Sequence, residues 1–376
     1  MSNQTFTEIE DHLRATQQEK MAVAEHVRQL YKSGVPLYTK KAIGELAEQL
    51  EEVKANGSAK VTLARLDGKT QTVGILHKVL TEESWVTFNP PSAVSSGHSS
   101  YAWDWVGEQQ DAGHTQIGIN PHVEYHSLGS LIDPEGPYDP DLPLGVVYDT
   151  AFRDATTGAL LTFPLSASVP CDELWSFFQR QRDKWETSEG CKRLRELLAT
   201  GQVPPVRKIV AFACGPMFCY DEFRSHVAFQ HAIIMTLRDV FSQETQCFAQ
   251  DPYYTEEDKK ILNGEGIYAV DDPHGFLEVD DESAIISVGA DVPIRNIVLD
   301  LAKPALLITN EVESERFQKQ TLDNRVNDAD PITPRVQDIL RDQYYKIPFP
   351  HTDDGYASTK SRDGREDKLA IYIRKL

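Results

Sequence analysis

The sequence lacks the marks of a secreted or membrane-spanning protein. Its five cysteines form no C-x-x-C pair, and their odd number and irregular spacing argue against a disulfide framework. No stretch approaches the ~18 apolar residues that a membrane-spanning helix needs. The polar, acidic start of the chain has the pattern of neither a signal peptide nor a transit peptide. These absences predict a protein of a reducing compartment, most simply the cytosol, with no membrane partner.

Positive charge is also scarce. The chain has 38 lysines and arginines against 58 aspartates and glutamates, which gives a formal net charge of −20. Such a protein is not expected to bind DNA, and any RNA contact needs a local basic patch. One basic segment, 179–208, includes Arg180, Lys184, Lys192, Arg193, Arg195, Arg207 and Lys208. It is either a solvated helix face or a surface that binds tRNA.

The chain also lacks a glycine-rich phosphate-binding loop. The apolar run "KIVAFAC" (208–214) predicts a buried strand, and "SHVAFQHAIIMTLRDVF" (225–241) predicts a helix after it. The turn between them begins C-G-P-M-F-C instead of G-x-G-x-x-G. The dinucleotide fingerprint is therefore missing, and no cofactor is predicted.

The cysteine that opens this turn has two interpretations. Cys214 is either a small packed side chain at the end of a buried strand or a nucleophile. A helix N-terminus directed at the thiol would stabilise its thiolate. His226 and His231 are possible partners, and Cys219 is a weaker alternative nucleophile.

Strand and helix patterns alternate beyond residue 200. Strands are predicted at 208–214, 245–251, 266–270, 283–289 and 305–310, and helices at 225–241, 255–264 and 293–301. This alternation predicts an α/β fold with a Rossmann-like, doubly wound, mostly parallel sheet. After a helix at 333–345 and a polar, mobile loop at 353–367, the run "LAIYIRKL" (369–376) predicts a closing strand, antiparallel at the sheet edge.

An α+β region is predicted before this sheet. It comprises helices within 5–55, a hairpin at 59–79, an irregular stretch at 85–145, a strand pair at 145–154 and 159–166, and a helix at 171–200. His122 and His126 would share one face of a helix, but Pro121 disfavours a helix and no third ligand is evident, so no metal is predicted. The predicted domains are 1–200, 201–312 and 313–376.

Open parallel sheets bind ligands at the carboxyl ends of their strands. The predicted strand ends carry Cys214-Gly215, Asp251-Pro252-Tyr253, Asp271-Asp272, Gly289-Ala290-Asp291 and Asn310-Glu311. This acidic rim disfavours a bare phosphate and suits a guanidinium, which carboxylates bind bidentately. A ribose diol at the second strand end remains open, and so does a plain role of these carboxylates in solubility and helix capping.

Several segments resemble a known family. "VRKIVAFACGPM", "CFAQDPYYTEEDKKIL" and "GIYAVDDPHGFLEVDD" are similar to the SRR-like domain, which is named for the plant sensitivity-to-red-light-reduced protein. The resemblance covers about residues 205–312, and its overall form is similar to the fungal branch. Plant members usually have a Gly-x-Gly-Ser type loop and a Met-Pro-His-Cys segment. This chain has Cys214-Gly215-Pro216-Met217 and Val288-Gly289-Ala290-Asp291 at those places.

The resemblance implies two functions. Plant and yeast relatives are linked to light, clock and microtubule-related regulation, which implies a non-catalytic protein with unknown partners. Some fungal relatives with a long N-terminal extension are cyclodipeptide synthases that take arginine and a second amino acid from aminoacyl-tRNAs. We expect the second function, with the regulatory one as the alternative and a nucleoside-cofactor enzyme, such as a methyltransferase, as the third.

The cyclodipeptide synthase interpretation assigns roles to the rim. Cys214 would accept the arginyl group as a thioester, and Tyr253 would handle protons. The basic segment would contact arginyl-tRNA through its phosphates. No cofactor is expected, because the aminoacyl ester is already activated. The residues expected to bind substrate are Gly215, Asp251, Asp271, Asp272, Gly289 and Asp291.

Overall fold

The computed structural model describes residues 3–56, 60–74, 115–133, 136, 139–154, 156–162, 170–200, 202–217, 221–312, 329–350, 358–360 and 366–376. The chain divides into two compact units. The first comprises Met1–Phe163, Asp291–Pro293 and Gln320–Pro331, and the second Pro164–Ala290, Ile294–Lys319 and Ile332–Leu376. Among the described residues, no helix is both long and apolar enough to cross a membrane.

The first unit contains helices and two small antiparallel sheets. Its elements are α1 (Asn3–Lys32), α2 (Lys40–Asn56), β1 (Lys60–Ala64), β2 (Thr70–Gly74), β3 (Thr115–Tyr125), α3 (Leu128–Leu131), β4 (Leu144–Arg153) and β5 (Leu160–Thr162). β1 and β2 form the hairpin around Asp67-Gly68, where Gly68 adopts φ +83°. β3, β4 and β5 pair in that order. β3 and α3 lie within the stretch predicted to be irregular, of which 85–114 is outside the described residues.

The second unit alternates strands and helices, as predicted. Its elements are α4 (Cys171–Thr187), α5 (Glu189–Ala199), β6 (Lys208–Phe212), α6 (Asp221–Phe241), β7 (Gln246–Gln250), α7 (Glu256–Gly264), β8 (Ile267–Val270), α8 (His274–Glu278), β9 (Ser283–Ser287), α9 (Ile294–Leu301), β10 (Leu306–Asn310), α10 (Pro334–Gln343), β11 (Tyr344–Pro348), β12 (Ser358–Lys360) and β13 (Glu366–Arg374).

These strands form one mostly parallel sheet in the order β11-β13-β10-β9-β6-β7-β8, with β12 paired to β13. The strands from β8 across to β10 are parallel, so their order by sequence is 3-2-1-4-5. This confirms the doubly wound α/β prediction and places the switch point between β6 and β9.

The carboxyl-terminal strand differs from its prediction. β13 is antiparallel, as expected, but it lies between β10 and β11 and not at the edge. The predicted helix at 333–345 ends at Gln343, and Tyr344 begins β11 instead. The Tyr344 hydroxyl donates to the Pro304 carbonyl at 2.9 Å, a long-range contact that local periodicity does not encode.

Side chains alternate between two helical layers. Ile209 and Ala211 of β6 belong to the core that contains α4 to α7. Phe212 points to the opposite face, where it stacks on Phe276 of α8 with ring centroids 4.6 Å apart. Both faces of the parallel sheet are therefore covered.

The helical segment before residue 200 packs within the second unit. Trp185 of α4 meets the ring of Phe229 in α6 edge-on at 4.7 Å and donates a hydrogen bond to Thr236 at 2.9 Å. Ser188 caps α5 by accepting from the Cys191 amide, which divides the predicted 171–200 helix in two. The two compact units accordingly divide after Phe163. The sequence predicts the boundary at residue 200, where a glycine and two prolines follow the helical segment.

Candidate functional site

The turn after β6 is held by a side chain and not by a glycine-rich loop. The Gly215 amide donates to Oδ2 of Asp251 at 2.7 Å, and the Tyr253 amide donates to Oδ1 at 2.9 Å. Ala213 has φ +55° and Gly215 has φ +77°. A non-glycine residue in this region costs of order 1–3 kcal/mol and persists only where its surroundings enforce it. Asp251 thus ties the end of β6 to the end of β7.

A second carboxylate, that of Asp258, also holds the turn after β6. Asp258 is fully buried, and its Oδ1 accepts from the Met217 amide at 2.8 Å. Its Oδ2 accepts from both the amide and the hydroxyl of Thr255, which completes the capping box of α7 that the sequence predicts. Burial raises the pKa of Asp258, while the hydrogen bonds from Thr255 and Met217 oppose that rise.

Cys214 lies in a buried polar chain with Tyr254 and His231. Nδ1 of His231 is 2.8 Å from the Val227 carbonyl, which can only accept, so Nδ1 carries the proton. Nε2 then accepts from the Tyr254 hydroxyl at 2.7 Å. Burial lowers the pKa of His231 to about 4, which keeps the imidazole neutral.

The environment of Cys214 opposes its predicted role as nucleophile. Its side chain is 1% exposed, and burial together with the charge of Asp251 raises the thiol pKa far above its usual range. A nucleophilic cysteine needs the opposite shift. The neighbouring Tyr254, and not Tyr253, is the phenol that interacts with the thiol. The side chains of Cys219 and His226 lie outside the described residues.

A clamp joins the ends of β7 and β8. The side-chain amide of Gln250 donates from Nε2 to Oδ1 of Asp272 at 2.7 Å, and its Oε1 accepts from the Gly275 amide at 2.7 Å. Asp271 is exposed and pairs with Lys259 at 3.1 Å. The register Phe212–Gln250–Val270 shows that these strands end side by side. Gly215, Asp251, Asp271 and Asp272 therefore lie at the carboxyl ends of the adjacent strands β6, β7 and β8, an adjacency that the sequence alone does not give.

The ends of β9 and β10 lie across the switch point. The Gly289 amide donates to Oδ1 of Asn310 at 2.8 Å, and Gly289 has φ +67°. Glu311 pairs with Lys346 at 2.8 Å, which compensates its charge. Asp291 is exposed and groups by its contacts with the first unit.

Two hydroxyl side chains at this edge were missed by the sequence interpretation. Ser287 ends β9 and is the register partner of Thr309 in β10. Both are 2% exposed, and neither hydroxyl has a hydrogen-bond partner within the described part of the chain. The signal that could have found them is a polar residue inside an otherwise apolar strand run.

The predicted tRNA-binding residues do not form one free basic surface. Lys192 pairs with Glu189, Arg195 with Asp239, Arg207 with Glu282, and Lys208 with Glu278 and Asp280. Arg207 and Lys208 also stand at the amino end of β6, roughly 13–17 Å from Phe212 at its carboxyl end, at 3.3 Å per residue. Arg180, Lys184 and Arg193 are exposed and form no ion pair with any described residue.

Metal ligation is not evident in the described residues, where no group of three or more His, Cys, Asp or Glu could hold an ion. His122 lies in β3, opposite Val147, and not on a helix. Nδ1 of His126 is 2.6 Å from the Leu142 carbonyl, to which it donates.

Comparison with known proteins identifies one domain. Residues 187–362 match the SRR1 domain. No curated protein matches the chain. Among the solved structures that match is precorrin 8W decarboxylase from Methanobacterium thermoautotrophicum, at 10% identity and a TM-score of 0.25, over 49% of this chain and 89% of that chain. A similarity that weak supports no inference about function.

Proposed function

We propose that this protein, which contains an SRR1 domain, is a tRNA-dependent cyclodipeptide synthase that joins arginine to a second amino acid. The observation that carries the proposal is the cluster of carboxylates Asp251, Asp271 and Asp272 at the ends of β7 and β8. Carboxylates at a strand-end crevice suit a guanidinium, with which they form paired, charge-assisted hydrogen bonds. The resemblance of the segments around them to fungal SRR-like proteins points the same way.

The three carboxylates have different roles in this proposal. Asp272 is half-buried and oriented by Gln250, so it is the carboxylate proposed to bind the guanidinium. Asp251 holds two backbone amides and keeps the β6 turn in place. Asp271 pairs with Lys259 at the surface and adds negative potential to the entrance. Tyr253, beside Asp251, is proposed to carry protons.

The reaction needs no cofactor. The α-amino group of one aminoacyl ester attacks the ester carbonyl of the other, so that a C–N bond forms and the C–O bond to ribose breaks. The proton lost by the amine ends on the released ribose hydroxyl, and a second such step closes the ring. The burial and neutral state of Cys214 favour this direct aminolysis over a thioester on that residue.

Contact with tRNA is proposed for Arg180, Lys184 and Arg193, which form no ion pair with any described residue. Arg180 and Lys184 stand four apart on α4, so they share one face, and Arg193 follows on α5. Lysine and arginine contacts to phosphates position a nucleic acid without reading its sequence. The acidic remainder of the chain would confine the tRNA to this surface.

The test is expression of the chain in bacteria, followed by mass spectrometry of the medium against an empty-vector control. A new cyclic dipeptide whose mass shifts with labelled arginine is the expected result. Asp272→Asn should lower the yield, because it removes the charge while an amide oxygen can still accept from Gln250. Asp183→Asn, an exposed change on α4, is the matched control and should not. Folded protein that yields no product from purified arginyl-tRNA supplied together with the other aminoacyl-tRNAs would refute the proposal and favour a regulatory role.

One observation favours a second candidate, a nucleoside-cofactor enzyme. The strand order 3-2-1-4-5 is typical of nucleotide-binding α/β folds. In those folds the nucleotide binds where the strand order reverses, between strands 1 and 4. However, both oxygens of Asp251, the residue placed to bind a ribose diol, already accept from backbone amides. A thermal shift with S-adenosylmethionine tests this candidate, since a ligand at 100 times its Kd adds roughly 2.7 kcal/mol of stability.

A further inference from the structure

Two buried hydroxyls at the carboxyl edge of the sheet form no hydrogen bond with any described residue. Ser287 and Thr309 are register partners in the parallel pair β9 and β10, whose strands lie ~4.8 Å apart. Each side chain is 2% exposed, and neither oxygen has a hydrogen-bond partner among the described residues. Buried polar atoms are nearly always paired, so two adjacent unpaired hydroxyls call for an explanation.

The register shows which face of the sheet they occupy. Ser287 is the partner of Phe212, whose ring stacks on Phe276 of α8. Side chains on paired residues share a face, so both hydroxyls point to the layer of α8 and α9. α9 begins after the loop that follows β9, which puts its N-terminus and its free amides at the same carboxyl edge.

The helix on this face carries a buried arginine. Arg295, in the first turn of α9, is buried. Burial raises the pKa of Tyr372 in β13 to about 12, while a hydrogen bond from the Val312 amide and the charge of Arg295 oppose the rise. Arg295 therefore lies within electrostatic reach of the β10–β13 end of the sheet. The helix N-terminus adds its own partial positive charge.

The carboxyl edge is consequently polarised about the switch point. On the β7–β8 side stand Asp251, which accepts from two backbone amides, Asp271, which pairs with Lys259, and Asp272, which accepts from Gln250. On the β9–β10 side stand two hydroxyl donors, a buried guanidinium and a helix N-terminus, while Glu311 is compensated by Lys346. These two sides suit a ligand whose cationic group faces the β7–β8 carboxylates and whose anionic or carbonyl oxygens face the β9–β10 hydroxyls.

We propose that Ser287 and Thr309 form a subsite that binds the carboxyl-derived oxygens of an amino acid whose guanidinium faces the β7–β8 carboxylates. The identity of the amino acid rests on the proposed function. Hydroxyl donors beside a helix N-terminus stabilise a carboxylate, and they also stabilise the oxyanion that forms when an ester carbonyl is attacked. Both oxygens are enclosed, so the proposed binding requires part of 288–290 to move; there Gly289 has positive φ, and nothing lies within 4 Å of a Cβ added to it.

The test compares L-arginine with agmatine, which has the same guanidinium and no carboxylate, by calorimetry on the full chain. An acidic edge alone favours agmatine, because agmatine carries the greater positive charge. The subsite predicts the reverse, with L-arginine bound more tightly. Ser287→Ala and Thr309→Val should each reduce that preference about 3- to 10-fold, the range of one hydrogen bond.

A matched control separates this role from a structural one. Thr245 is buried with an unpaired hydroxyl like the other two, but it precedes β7 at the opposite edge of the sheet. Thr245→Val should leave the preference for L-arginine unchanged. All three variants should keep the wild-type melting temperature or exceed it, because each removes a buried hydroxyl that has no partner.

The outcomes distinguish the subsite from the proposed function. Wild-type protein that binds agmatine as well as L-arginine overturns the subsite. So does a preference that survives Ser287→Ala combined with Thr309→Val, even if the protein makes cyclic dipeptide. A preference lost in these variants and kept in Thr245→Val supports the subsite, and it does so even if no cyclic dipeptide forms, in which case only the proposed reaction fails.

Discussion

Gly275 offers the sharpest test of the clamp that orients Asp272. A Cβ added at this position would lie 2.7 Å from Oε1 of Gln250, 3.0 Å from its Cβ and 3.1 Å from Cε1 of Phe212. The side-chain oxygen could swing away, but the Gln250 Cβ and the stacked Phe212 ring could not move as cheaply. Gly275→Ala is therefore expected to displace Gln250 and to break its bonds to Gly275 and Asp272.

The magnitude follows from three contributions. The neutral bond from the Gly275 amide contributes about 1 kcal/mol, and the charge-assisted bond from Gln250 to Asp272 about 1.5–3 kcal/mol. Replacing glycine by alanine in a helix gains up to about 1 kcal/mol. The expected net loss is about 1.5–4 kcal/mol in the free energy of unfolding.

Gly264→Ala is the matched control. Gly264 ends α7 without a positive φ, and nothing lies within 4 Å of an added Cβ. Urea denaturation of the full chain should show a lower midpoint for Gly275→Ala and an unchanged or higher one for Gly264→Ala. Equal midpoints would refute the idea that the clamp is tightly packed, and with it the claim that Asp272 is held in a fixed orientation.

Three further predictions concern other residues. The folded protein keeps His231 neutral down to about pH 4, whereas the unfolded chain takes up that proton near pH 6.5, so stability should fall as the pH is lowered through this window. The free energy of unfolding should fall by about 3 kcal/mol in the wild-type protein and by less in His231→Gln. Urea denaturation midpoints measured at each pH would show this difference. The Cys214→Ala variant should keep most product formation, and a variant that is folded but inactive would restore the thioester hypothesis. In the wild-type protein, iodoacetamide should label Cys214 only on unfolding, because the side chain is buried. Replacing Arg180, Lys184 and Arg193 by alanine should weaken tRNA binding and flatten its dependence on salt by a slope of about 2, whereas an unchanged slope would remove them from the interface.

The fold of the second unit was largely predictable from its sequence. Buried parallel strands are continuous apolar runs, and the helices between them have caps, such as Thr255 with Asp258, that act within a few residues. Because these signals are local, they give the order of strands and helices and the residues that end each strand. The position of β13 between β10 and β11 is not local, since it depends on pairing between strands far apart in sequence.

The same distinction between local and long-range interactions applies to the candidate site. That carboxylates follow β7 and β8, and that the turn after β6 lacks a phosphate loop, can be read from the sequence alone, because both are properties of adjacent residues. Three other features appear only in the folded chain: Cys214 is enclosed beside Tyr254, Asp251 accepts from the amides of the turn, and the hydroxyls of Ser287 and Thr309 have no hydrogen-bond partner among the described residues. Burial and hydrogen-bond partners depend on which distant residues meet, and these set the charge state and the chemistry of each side chain.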